Sequence, residues 1–207
     1  MADHGSTRMS LAERRAQLLD AATTVISRRG LAAASTRAIT ETAGVPQSVF
    51  HYCFDSKAAL LRALLERENE RIQAIVEASP PFSVPLRTAL ESAFVAHLRR
   101  VQADPWHFLA LSELGVHART DDELLPLTQR ARRRDLDAIR SLLQKWRANL
   151  EPRSVEAWAS VILAGVDGIT EAWLTDRDDD AALRSAQLLA SAMETLGGDP
   201  GLSRTST

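Results

Sequence analysis

Apolar residues recur along this chain at the three- to four-residue spacing of helices, and almost no segment alternates as a strand would. Ala and Leu dominate over Val, Ile and Tyr, which favours helix further. The first helix has a defined start. Ser10 followed by Glu13 forms a capping box, whose two side chains satisfy orphan backbone donors reciprocally. Leu11, Leu18, Leu19, Ala22, Val25 and Ile26 then make one apolar stripe, and Gly30 ends the helix. Ser35 or Thr36 can cap a second short helix reaching Ala43, with Gly44 as its left-handed stop. Pro46 falls in the first turn of a third helix of about one and a half to two turns. Asp55 or Ser56 caps a fourth, which carries Leu60, Leu61, Leu64 and Leu65 towards Ala78.

The run Ser79-Pro80-Pro81-Phe82-Ser83-Val84-Pro85 interrupts this pattern and marks a joint. Beyond it the pattern predicts helices over 85–103, 105–118, 122–149, 153–175 and 179–196. The fold expected is all-α. It divides into a head over 8–57, a connecting helix over 58–78, a body over 79–197 and a loose tail over 198–207.

Composition narrows the class. With 45% hydrophobic and 25% charged residues in 207, the chain reads as a folded, soluble protein. No apolar run nears the roughly 20 residues that span a bilayer, and residues 1–9 lack the apolar core of a secretory signal. A cytoplasmic protein is expected. The single cysteine, Cys53, excludes an intrachain disulfide framework and a Cys-rich zinc site. Net charge is −2, but residues 8–60 hold seven cationic against four acidic side chains, a net of +3. The remainder therefore carries −5. A basic end on an acidic body suits a polyanion bound at that end.

The informative stretch is TRAITETAGVPQSVFHYCFDSK, from Thr36 to Lys57. A short helix, a turn containing Gly44 and a second short helix form a helix-turn-helix unit. Ile39, Ala43, Val45, Val49 and Phe54 can clamp the pair at a fixed angle. Gln47, Ser48, His51 and Tyr52 then project outward. Gln offers paired donor and acceptor groups to a base edge, Ser offers either, and His and Tyr can reach bases or phosphates. The helix N-termini near Thr36 and Lys57 are natural phosphate seats.

From about Arg14 to Leu65 the sequence resembles the TetR (tetracycline-repressor-like) family of bacterial regulators. The resemblance rests on Ala21-Ala22, Gly30, Thr36-Arg37, Ile39, Ala43-Gly44-Val45, Tyr52, Phe54 and Lys57. It implies a homodimer whose first three helices bind DNA and whose remaining helices form an effector-binding and dimerisation body. It also implies a phosphate contact for Thr36 and Lys57, a base or phosphate contact for Arg37, and reader positions for Gln47, Ser48, His51 and Tyr52. Ser48 stands where many members have Gly, His51 where Tyr is common, and Cys53 where His is frequent. Cys53 is expected to be a half-buried packing residue.

By the same resemblance the body encloses a pocket for an unidentified small molecule, with Phe94, His97, Trp106, Phe108, Leu111, Leu143, Trp146 and Trp173 as candidate lining. The last two long helices would form the dimer interface through Val161, Ala164, Gly165, Gly168, Leu188, Leu189, Ala192 and Leu196. Two glycines inside one helix suggest close packing there. No cofactor or metal is expected. The histidines make no i, i+4 pair, and the aspartates at 176 and 178–180 lack the Gly and Glu of a calcium loop. Arg130 and Arg132 to Arg134 read as a solvated helix face. The function expected is a ligand-released repressor on a palindromic double-stranded operator. An activator of the same fold is the first alternative and a protein-binding adaptor the second. An enzyme is not expected, for want of a phosphate-binding Gly loop, a nucleophile elbow or a metal-ligand cluster.

Overall fold

The computed structural model describes residues 9–78, 84–146 and 152–197. Within them the chain is entirely helical: α1 (Leu11–Arg29), a 3-10 turn (Leu31–Ala33), α2 (Thr36–Ala43), α3 (Gln47–Cys53), α4 (Lys57–Ala78), α5 (Leu86–Ala103), α6 (Pro105–Ala118), α7 (Leu125–Trp146), α8 (Pro152–Asp176) and α9 (Asp179–Gly197). The predicted end of α7 at 149, most of the joint and the tail lie outside the described residues. No described helix is long and apolar enough to cross a membrane.

Local chemistry explains the boundaries. Both halves of the Ser10–Glu13 capping box form at the start of α1. Ser35 Oγ accepts from the Ala38 N–H and starts α2, while Gly44 ends it at φ +66, a conformation glycine adopts without penalty. Pro46 is the residue before α3 rather than part of its first turn. Asp121 Oδ1 accepts from the backbone N–H groups of Glu123 and Leu124 and so precedes α7, which begins three residues later than its apolar spacing suggests.

Two compact units result. The first comprises the residues up to Arg67 together with Leu109–Thr128, and the second comprises Glu68–Phe108 together with the residues from Gln129 on. A linear boundary at 57 or 78 does not describe them, since part of α6 and the following turn pack with the N-terminal helices. Hydrophobic spacing gives each helix its buried face but not its partner. The first unit's core joins Leu18, Ala22, Ile26, Ile39, Phe50, Phe54, Leu60, Leu61 and Leu64 to Ala110, Leu114 and Leu124. Leu11, expected on the α1 stripe, is instead exposed, because the stripe meets its partners only from Leu18 onward.

In the second unit α5, α8 and α9 pack on one another. Gly165 faces Leu189 so closely that a Cβ would overlap that side chain. This contact lies within the chain, so the two residues serve the packing of α8 on α9. Val161, Ala164, Gly168, Leu188 and Ala192 are exposed. They sit on α8 and α9, Leu188 at 71% exposure. Leu196 lies beyond the last described side chain.

Candidate nucleic-acid interface

Phe50 is the pivot of α3. It is fully buried, against Phe54 at 5.9 Å between ring centroids, and it turns the opposite face of α3 outward. Gln47, Ser48, His51 and Tyr52 are all exposed on that face, Tyr52 at 73%. The His51 ring meets the edge of Phe50 at 5.7 Å, which limits its swing. Ala43, Val45 and Val49 pack from the side against the same core, as their spacing predicts. Phe50 escaped the sequence reading, although its place four residues before Phe54 puts it on the inner face.

Thr36 opens α2 half-buried, and its hydroxyl accepts a 3.4 Å hydrogen bond from Gln47 Nε2. Arg37 lies exposed beside Glu41 at 2.8 Å. An exposed i, i+4 pair of this kind is worth about 0.3–0.5 kcal/mol, so a phosphate can displace it. Lys57 is half-buried, and its ammonium donates to the Leu31 carbonyl at 3.1 Å. Burial lowers its pKa, against the pull of Asp121. Only one of the ammonium's donors is used in that bond, which leaves others for a phosphate oxygen.

A family model described as "Bacterial regulatory proteins, tetR family" matches residues 18–64, the segment that carries this arrangement. The HTH-type nicotine-responsive transcriptional repressor HdnoR of Paenarthrobacter nicotinovorans is 31% identical over 116 residues, covering 54% of this chain and 58% of that protein. The match thus spans less than two thirds of that relative's length. Over residues 18–64 the chain is thus similar to the TetR family. Solved structures extend the likeness of fold. Salmonella enterica GusR has a TM-score of 0.71 at 18% identity, over 88% of this chain and 92% of its own. The fatty acid degradation regulator FadR from Bacillus halodurans has 0.71 at 18%, over 89% and 96%. The multidrug binding protein EbrR, complexed with imidazole, has 0.60 at 24%, over 86% and 94%.

In this N-terminal unit, α1 does more than present an apolar stripe. Gln17 Nε2 donates to the Ala43 carbonyl at 2.9 Å, and Arg15 Nη1 donates to the Cys53 carbonyl at 2.5 Å. These are the C-terminal carbonyls of α2 and α3, groups a helix cannot satisfy internally. The Arg15 guanidinium also lies 4.3 Å from the Phe54 ring centroid. Arg15 is therefore a bracket for the reader, not a solvated charge. Cys53 itself is buried, and burial raises its thiol pKa against the opposing charges of Arg15 and Arg14. A thiol in that state is a poor nucleophile, in keeping with a packing role.

The candidate pocket residues fall into three groups. Phe94, Phe108, Leu143 and Trp173 are buried in the second unit, and the His97 ring shares a 2.7 Å hydrogen bond with Thr170 Oγ1 and meets Phe108 edge-on at 5.5 Å. Trp106 is 48% exposed, and Trp146 is tied through its indole N–H to the Val84 carbonyl at 3.2 Å. Leu111 packs against the core of the first unit.

The sequence reading missed the charged interior of this unit. Glu68 is buried on α4, ion-paired with Arg100 of α5 and 2.9 Å from His107 Nε2 of α6, whose ring is 2% exposed. Burial works against the carboxylate, but the hydrogen bonds and charge from His107 and Arg100 outweigh it, and its pKa falls below the ordinary range. His97 is held down to about 4 by burial and by Arg100. Asp135 of α7 is pushed up to about 6 by burial and by the nearby charges of Glu68 and Asp167. No spacing rule links residues 68, 100, 107 and 135. No group of His, Cys, Asp or Glu suited to a metal occurs among the described residues.

Proposed function

We propose that this chain is a homodimeric, ligand-responsive transcriptional regulator that represses by occupying a palindromic DNA operator and leaves it when a small molecule binds the second unit. The exposed row Gln47, Ser48, His51 and Tyr52, backed by fully buried Phe50 and set beside the capped start of α2, carries this reading. Such a row reads base edges in a major groove, while Thr36, Arg37 and Lys57 hold the phosphates on either side. Two copies related by a two-fold axis would place their readers in successive major grooves about 34–36 Å apart.

The open face of Val161, Ala164, Gly168, Leu188 and Ala192 supports pairing of two copies. Small residues there allow helices to approach closely, and an exposed leucine in their midst gains by being covered. For the effector, Phe94, Phe108, Leu143 and Trp173 offer apolar surface, with His97 and Thr170 as polar orienting groups. That one relative is named for its response to nicotine supports small-molecule control of this chain. Release then follows by population shift, if the effector favours a dimer whose reader spacing no longer fits the operator.

A gel-shift series over increasing salt, with operator and random duplexes, tests the DNA contacts. Lys57→Ala should weaken binding to both duplexes and flatten the salt dependence by about one counterion. Gln47→Ala should instead lower the preference for operator by about 1–3 kcal/mol. Unchanged operator binding in both variants would remove the reader from this segment.

A further inference from the structure

The turn between α1 and α2 is gripped from both sides at one residue, Leu31. Its N–H donates to Glu113 Oε1 of α6 at 3.2 Å, a contact across 82 positions of sequence. Its carbonyl accepts from Lys57 Nζ of α4 at 3.1 Å. All three residues belong to the first unit. Gly30, just before, has φ +80, and a Cβ there would stand 3.0 Å from the same Glu113 oxygen, so the backbone is drawn close to the carboxylate. Four residues after Leu31, Ser35 caps α2 and sets the direction of Thr36 and Arg37. We infer that Glu113 is a positioning residue for DNA binding: by holding the Leu31 peptide it fixes both the Lys57 ammonium and the start of α2 where phosphates are to be met.

This inference rests on the reading of Lys57 as a phosphate contact. Without Glu113, the Leu31 N–H loses its side-chain acceptor, and the turn is held only by its own backbone bonds and the buried Leu31 side chain. Its carbonyl then no longer presents a fixed seat to Lys57. The ammonium gains conformational freedom that DNA binding must remove again. Glu113 touches no DNA itself in this scheme, so its removal should act through Lys57 and not beside it.

A double-mutant cycle on the full chain, read by binding to operator DNA over a salt series, tests this. Glu113→Ala is expected to weaken binding roughly fivefold to tenfold and to reduce the salt slope by about one, as Lys57→Ala does. In the Lys57→Ala background the second substitution should cost less than about twofold. Glu113→Gln, which keeps an oxygen acceptor without the charge, should retain wild-type affinity and slope, and it also serves if the alanine variant does not fold. Additive losses, an unchanged slope in Glu113→Ala, or loss of affinity in a folded Glu113→Gln would each overturn the inference. Those results leave Lys57 as a phosphate contact intact. Failure of the wild-type chain to bind any DNA would overturn the regulator reading, and this inference with it.

Discussion

The two units bury polar groups in opposite ways. In the first, the buried polar side chains among the described residues are the two threonines Thr23 and Thr40, and each bonds back to its own helix. Its charged and amide groups act at the margins, where Arg15, Gln17, Lys57 and Glu113 take up backbone groups that the helices and turn leave open. The second unit buries Glu68, Asn69 and His107, with His97 and Asp135 half-buried. An apolar core with a bracketed edge gives a rigid platform, as a reader of base edges needs. Charges held inside a helical body are costly, and their balance shifts when a nearby group gains or loses a proton or a partner. Rigidity thus belongs to the unit proposed to read DNA, and sensitivity to the unit proposed to take the effector.

The sharpest way to break the comparison is to remove the pivot of the rigid unit. Phe50→Ala deletes a fully buried ring that touches Phe54 and backs the whole reader face. It should cost about 3–5 kcal/mol in urea unfolding. Tyr52→Ala, on the exposed side of the same helix, should fall within about 0.5 kcal/mol of wild type. Equal losses would mean that α3 is not anchored as described.

In the second unit the matching test is Glu68. Glu68→Ala leaves Arg100 and His107 without their shared carboxylate, at a cost of about 2–4 kcal/mol after allowance for solvent reaching Arg100. If the cost is that of stranding buried polar groups, the double variant Glu68→Leu with His107→Leu should be more stable than Glu68→Ala. A double variant that is the worse of the two in thermal melts would make the network a net source of stability, as tight packing is in the first unit.

The same contrast explains what could be read from the sequence. Caps and stops act over three or four residues, so Ser10, Glu13, Ser35 and Gly44 identify themselves. The reader face follows from the turn at Gly44 and the spacing to Phe54. Residues meeting across the fold carry no such signal. Arg15 reads as a surface charge until the Cys53 carbonyl is placed beside it, and Glu113 until Leu31 is. The two glycines of α8 were legible as close packing, but a sequence cannot tell packing within a chain from packing between two.

The smallest effect sought is the most specific to the charged interior. Asp135 holds its proton up to about pH 6 in the folded chain, against an ordinary 3.8, because burial, Glu68 and Asp167 disfavour its charge more than Arg132 favours it. Its contribution to stability is therefore fully present below about pH 3.8 and is lost as pH rises through 6. His97 runs the other way. Held at about 4 against an ordinary 6.5, it stabilises above 6.5 and ceases to as pH falls through 4. The two oppose each other over nearly the same window, and together they flatten the pH profile of the unit. Asp135→Asn removes one side of that balance. The variant should be more stable than wild type by about 1–2 kcal/mol at pH 7.5, after discounting for solvent screening, and should lose the difference by about pH 4. Urea unfolding at half-unit steps of pH would trace it: the variant's stability should climb from pH 4 to 6.5 where the wild type's is nearly level. Parallel curves for the two proteins would mean that Asp135 is not held out of water as the structure has it.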